Sequence, residues 1–242
     1  MPLLETQDLE KYYGPRKALD RVSLSFGEGE LVAVLGVNGA GKTTLLGCMA
    51  GILGWSKGEV RVDGQRLSRD DLGQRRKLGM LPSGGLYFGF ADTVRNAAIF
   101  TEIWRGMDAE PPLDLEEWLE RLGLLEVAMQ PLESLSRGQV YKASLLVLYC
   151  ADPAIWLLDE PFAAGMDARG MEAFRRLARS VTEKGRTVIY TTQFPELAAR
   201  FADRVIVIGH GGVLLDQTTA GRDQEELIRM LGKPLGVQEA YA

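Results

Sequence analysis

Gly36-Val37-Asn38-Gly39-Ala40-Gly41-Lys42-Thr43 has the form G-x-x-x-x-G-K-[ST], with an apolar run, Leu31–Leu35, before it and a helix-like segment, residues 44–50, after it. A strand, a glycine-rich loop and a helix start in that order turn the pattern into a phosphate cradle. Its glycines let the loop wrap closely, because they adopt backbone angles that other residues resist. The loop N–H groups and the start of the helix then point at an anion. Lys42 places a point charge on the outer phosphates, and Thr43 offers a hydroxyl to Mg2+. A turn that merely happened to carry a lysine would not need strand, spacing and helix together. The stretch implies binding of a nucleoside triphosphate.

Outward from the loop, residues 3–9 and 18–26 read as strands around the turn Gly14-Pro15, and residues 59–62 as a third, leading into Asp63-Gly64. These pieces predict a small antiparallel layer around the phosphate-loop strand. Tyr12 and Tyr13 precede the first turn; either could stack on a purine or be a half-buried strand residue, and position alone does not separate them. From about Pro82 to Pro153 the periodicity becomes helical, over residues 94–104, 115–122 and 139–151. Asp92, Thr93 and Asp114 are placed as caps, and Pro111-Pro112 breaks the middle. Beyond this, strands at Ile155–Leu158 and at residues 187–191, 205–208 and 213–215 alternate with helices at 171–183 and 196–201, and 224–231 reads as a last helix. Strands alternating with helices imply a mostly parallel sheet covered on both faces. The expected organisation is one domain: an α/β core with its β-layer in residues 1–81 and 153–218, a helical subdomain in 82–152 and a tail in 219–242.

Bulk composition narrows the function classes. Among 242 residues, 46% are apolar and 25% charged, enough for a sizeable core. A formal net charge of −5 argues against a nucleic-acid binder driven by bulk positive charge. Cys48 and Cys150 fit no metal or disulfide spacing and read as small buried residues of a protein in a reducing compartment. Met1–Glu5 shows no secretory pattern. No apolar run approaches the roughly 20 residues that span a bilayer. The expectation is a soluble chain, or one docked on a separate membrane protein.

Two further motifs carry chemistry. Asp159-Glu160 closes an apolar strand, so adjacent carboxylates there point to opposite sides. In a protein with a phosphate loop the first suits Mg2+, and the second can orient or deprotonate a water. Leu135-Ser136-Arg137-Gly138-Gln139 opens the helix at 139–151, with Ser136 a natural N-cap and the N–H groups around Gly138 a second anion site. These three motifs, in this order and at these separations, closely resemble the ATP-binding cassette (ABC) ATPase family, from about Leu3 to Gln217.

The resemblance implies an α/β P-loop NTPase (RecA-like) core with an antiparallel β-subdomain and an inserted α-helical subdomain. It also implies a head-to-tail dimer in which the signature of one subunit caps ATP held by the other. Carried over, Tyr13 matches the adenine-stacking aromatic, and Gly36, Val37, Asn38, Gly39, Ala40, Gly41, Lys42, Thr43 and Thr44 the phosphate-binding set. Ser136, Gly138 and Gln139 match the signature, Asp159 the Mg2+-linked aspartate, Glu160 the catalytic carboxylate and Asp167 the loop aspartate at the dimer interface. Arg137 replaces the first signature glycine. Ser83 stands where the family usually has a metal- and water-contacting glutamine, and Gln193 where it has a switch histidine. Ser83 can still bind metal or water; Gln193 can donate a hydrogen bond but carries no charge and shuttles no proton. His210 lies in the later turn His210-Gly211-Gly212 and reads as solvent-facing. The spacing from Glu160 to Asp167 is one residue longer than the family's usual one.

What the resemblance implies for function is the Mg-ATP-driven motor subunit of a transporter at the cytoplasmic face of the membrane, paired with a separate multi-spanning permease and acting as a homodimer or heterodimer. Leu86-Tyr87-Phe88 and Asp159-Glu160-Pro161-Phe162 look most like single-cassette exporters. Slow turnover is expected, with Glu160 and Gln193 as catalytic residues and Thr43, Asp159 and Ser83 toward the metal. The alternatives are an ATP-gated binding or regulatory module and a soluble, non-transport ABC protein.

Overall fold

In the computed structural model, which describes residues 1–110, 112–163 and 165–236, the chain begins with a long hairpin. β1 (Leu4–Tyr13) and β2 (Arg16–Phe26) turn at Gly14-Pro15. β1 runs past the expected residue 9, because pairing with β2 continues through bulges as far as Tyr13. β3 (Leu31–Leu35) passes through the phosphate loop into α1 (Lys42–Met49). β4 (Lys57–Val62) and β5 (Gln65–Arg66) complete an antiparallel sheet of order β2-β1-β4-β5. A short α2 (Leu72–Arg76), too brief to show periodicity in the sequence, is capped by Asp71 and leads into β6 (Leu78–Leu81).

Helices follow, as the change of periodicity predicts. α3 (Thr93–Arg105) is capped by Asp92, whose carboxylate accepts the Arg95 N–H at 2.8 Å. α4 (Leu115–Arg121) starts after Asp114, but that carboxylate does not cap it. It accepts instead from Trp118 Nε1 at 3.2 Å and from the Tyr149 hydroxyl at 2.7 Å, tying α4 to α5 (Arg137–Ala151). The carboxylate goes to the side chains of Trp118 and Tyr149, two buried residues whose donors need an acceptor. The α/β pattern then resumes with β7 (Ile155–Leu158), α6 (Ala168–Glu183), β8 (Thr187–Thr192), α7 (Pro195–Phe201), β9 (Arg204–Gly209), β10 (Gly212–Thr218) and α8 (Gln224–Gly232). α6 begins three residues before the expected Met171, because Asp167 caps it by accepting the Gly170 N–H at 2.7 Å. Pro111 of the Pro111-Pro112 break, Ala164 and residues 237–242 of the tail lie outside the described residues.

The second sheet has the order β10-β9-β3-β8-β7-β6, parallel except for β10. Its inner strands β3, β7 and β8 are buried along their whole length because both faces are covered, whereas the edge strand β10 is partly exposed. Along β3 the alternation is clean: Leu31, Ala33 and Leu35 face the core shared with α5, α6 and α7, while Val32 and Val34 face α1 and the antiparallel sheet. Trp156 and Leu158 of β7 join the first side, Ile155 and Leu157 the second. The architecture is an α/β P-loop NTPase core with an antiparallel β-subdomain on one face and a helical insertion between β6 and β7.

Both cysteines are buried within these layers, and burial raises the Cys48 thiol to about 11 and the Cys150 thiol to about 12. Since the thiolate is the reactive form, neither cysteine is expected to react with iodoacetamide near neutral pH in the folded protein, and both should react in denaturant. Mass spectrometry of the alkylated chain checks this; rapid native labelling of either residue would contradict the packing.

Candidate active site

β3, β8, β7 and β6 are neighbours in the parallel sheet. Loops leaving the carboxyl ends of such strands converge on one rim. Gly36 follows β3, Gln193 follows β8, Asp159 follows β7, and Pro82-Ser83 follow β6. Segments distant in the chain are therefore delivered to one edge.

The phosphate loop is tightly wedged. A Cβ on Gly36 would lie 2.7 Å from the Ile208 carbonyl oxygen, and one on Gly41, at φ +107, would lie 2.6 Å from that of Ala18. Only glycine fits either place. Lys42 is 5% exposed and its ammonium is held by three oxygens: the Gly36 carbonyl at 2.8 Å, the Val37 carbonyl at 3.3 Å and Glu160 Oε1 at 2.9 Å.

Asp159 is buried, and its carboxylate is satisfied by hydroxyls. Thr43 Oγ1 donates to it at 2.9–3.0 Å and Thr191 Oγ1 at 2.8 Å. The same Thr191 oxygen accepts the Glu160 N–H at 2.8 Å. Glu160 takes φ +46, a left-handed conformation that costs a glutamate roughly 1–3 kcal/mol. Its turn is closed by the Ala163 N–H donating to the Glu160 carbonyl at 3.0 Å, and its side chain reaches Lys42. Thr191 thus positions both acids. In the sequence Thr191 reads as one more strand residue; a hydroxyl close to the end of a buried strand, just before its loop, is the signal that marks it.

A cleft of about 270 Å³ brings Asn38, Gly39, Gly41, Lys42, Thr43 and Thr44 together with Asp159, Glu160, Ser83 and the half-exposed ring of Tyr13. Tyr12 turns away: its hydroxyl donates to Glu10 at 3.0 Å. Arg16 and Ala18, which the sequence reading did not single out, also line the cleft. Ser136, Gly138, Gln139, Asp167 and Gln193 do not. Ser136 and Gln139 form a capping box at the start of α5, with Ser136 Oγ accepting the Gln139 N–H at 3.3 Å and Gln139 Oε1 accepting the Ser136 N–H at 3.0 Å. His210 is exposed in its turn, as expected.

The cleft suits Mg2+. That ion takes hard oxygen ligands and usually keeps waters and substrate phosphates around one or two protein groups. Thr43 and Asp159 offer a hydroxyl and a carboxylate in contact with each other. Among the described residues no cluster of three or more His, Cys, Asp or Glu side chains forms a metal cage.

Comparison with known proteins places these features in context. A family model described as "ABC transporter" matches residues 19–163. An uncharacterized ABC transporter ATP-binding protein of Methanocaldococcus jannaschii is 31% identical over 210 residues, covering 87% of this chain and 75% of that one. The cobalt import ATP-binding protein CbiO of Rhodobacter capsulatus is 35% identical over 224 residues, covering 90% and 80%. Among solved structures, the dimeric structure of a bacterial ABC transporter cassette is 26% identical, with a TM-score of 0.79 over 90% of this chain and 100% of that chain.

Replacing Thr191 by valine leaves the Glu160 N–H without its acceptor and Asp159 without one donor. Urea unfolding should show a loss of roughly 1–3 kcal/mol, largely restored by Thr191→Ser. Unchanged stability of the valine variant would contradict the double role.

Proposed function

The chain belongs to the ABC transporter ATP-binding family, and on that premise we propose that it is the ATP-hydrolysing motor subunit of a membrane transporter, working as a dimer around two nucleotides. The observation that carries this reading is the convergence of Lys42, Thr43, Asp159 and Glu160 on one cleft beneath the phosphate loop.

In this proposal the adenine stacks on Tyr13 and the loop N–H groups with Thr43 and Thr44 hold the phosphates. Lys42 exchanges its Glu160 partner for phosphate oxygens. The exchange frees the Glu160 carboxylate to orient and deprotonate a water. Thr43 and Asp159 would hold Mg2+, with Ser83 at the cleft wall toward it; the bound ion would draw charge from the terminal phosphate. Ser136 and Gly138 stand apart from this cleft, which supports their action on the nucleotide of a second subunit through the N-terminus of α5. Gln139 then serves that turn as the partner of Ser136. Asp167 would stand at the same junction. Dimer closure by ATP and release after hydrolysis form the two-state element.

In this proposal the permease is a separate chain; among the described residues no helix is long and apolar enough to cross a membrane. Its docking face is supported by the segment after Ser83. Leu86 N–H donates to Ser144 Oγ at 3.1 Å, and buried Asn96 accepts the Phe88 N–H at 2.7 Å while donating to the Phe88, Ala91 and Asp92 carbonyls. So held, the loop exposes Tyr87 and Phe90, and Tyr87 lines a groove of about 530 Å³ with Ser83, Glu133 and Arg137. Attachment there would put the chain at the cytoplasmic face of the membrane. Export is inferred from the exporter-like texture of residues 86–88 and 159–162; cobalt import is the assignment of the Rhodobacter relative.

Slow turnover is part of the proposal, because Gln193 carries no titratable proton and Ser83 is short. Glu160→Gln should abolish phosphate release with ATP still bound, and Gln193→His should raise kcat toward the roughly 10²-fold that a general acid–base group contributes. Phosphate-release kinetics beside ATP binding decide the matter. Equal turnover in wild type and Glu160→Gln, with ATP bound by both, would favour an ATP-gated module without catalysis.

A further inference from the structure

The geometry points to Arg16 as a nucleotide-binding residue outside the phosphate loop, a second cation for the polyphosphate chain; this rests on the reading of the cleft as an ATP site. The two-residue turn Gly14-Pro15 pairs Tyr13 directly with Arg16 across β1 and β2. Residues directly opposite in an antiparallel pair project to the same face, and both line the cleft. The hairpin tip therefore delivers an aromatic ring and a guanidinium as one unit. Arg16 reaches from the tip to the loop rim, where Nη2 lies 3.4 Å from the Gly39 carbonyl. That long contact is a weak tether for an exposed arginine.

The neighbouring cations are engaged elsewhere. Lys17 and Arg21 lie against Asp20, Lys11 donates to the Gly54 carbonyl, and Lys42 is paired with Glu160. Among the described residues Arg16 has no carboxylate within ion-pair distance, the pairs nearest to it in sequence being those of Lys17 and Arg21. A planar guanidinium with several donors matches phosphate oxygens in a forked geometry that lysine does not offer. Because its guanidinium sits at the rim of the phosphate loop beside Gly39, the group that Arg16 meets is the polyphosphate chain, beyond the ribose that follows a base on Tyr13. It adds affinity that is independent of the base, so the hairpin tip reads both ends of the nucleotide.

Titration calorimetry on the full chain with ATP, ADP and inorganic pyrophosphate tests this. Arg16→Ala should weaken all three by a similar factor, roughly 10-fold, and flatten the salt dependence of binding; Arg16→Lys should recover part of the loss. Tyr13→Ala should weaken ATP and ADP but spare pyrophosphate. The Arg16→Ala unfolding midpoint should match that of wild type, because the side chain is exposed. Unchanged affinities in Arg16→Ala, or a loss for ATP and ADP with pyrophosphate unaffected, would overturn the assignment. Wild-type protein that binds neither ATP nor ADP would instead overturn the ATP-site reading beneath it.

Discussion

A carboxylate taken out of water must be hydrogen-bonded, and Asp159 meets that demand with hydroxyls from the first turn of α1 and the end of β8. Thr43, 116 residues earlier in the chain, brings the loop after β3; Thr191, 32 residues later, brings the end of β8. One side chain thereby pins the start of α1, which follows β3, and the carboxyl end of β8 to the carboxyl end of β7. The order β3-β8-β7 in the sheet is what allows it. The same bonds fix a carboxylate beside the glycine-rich loop, where the proposed Mg2+ would be held.

Glu160 is held by a different means. Its left-handed backbone is unfavourable for a glutamate, and the Thr191 hydroxyl, the Ala163 N–H and the Lys42 ammonium compensate. The strained turn sends its side chain to Lys42, on the cleft side of the strand end. Strain of this kind gathers where function over-determines geometry. Lys42 and Glu160 are paired, and in the proposed function a phosphate would compete for Lys42, so that a single ion pair would couple the proposed catalytic base to substrate arrival.

Much of this was legible in order and spacing. The phosphate loop between strand and helix, the acidic pair closing β7 and the capped start of α5 are local patterns, and local patterns survive without knowledge of neighbours. The uninterrupted apolar run of β3 likewise announces two covered faces. Less legible were groups whose partners lie far along the chain. Asp114 reads as a helix cap, yet its carboxylate serves Trp118 and Tyr149. Thr191 reads as one more β-branched strand residue, yet it orients both acids. Asp71 and its five-residue helix are too short to show a period.

The choice between Tyr12 and Tyr13 marks the boundary. Sequence alone determined that an aromatic precedes the turn, that a triphosphate cradle follows and that an acidic strand end comes later, because each depends on residues close together in the chain. Only the tertiary structure decided that Tyr12 is tied to Glu10 while Tyr13 faces the cleft with Arg16. Register shifts along β1 set which side chain faces which way, and a bulge leaves no pattern that one strand's sequence can show.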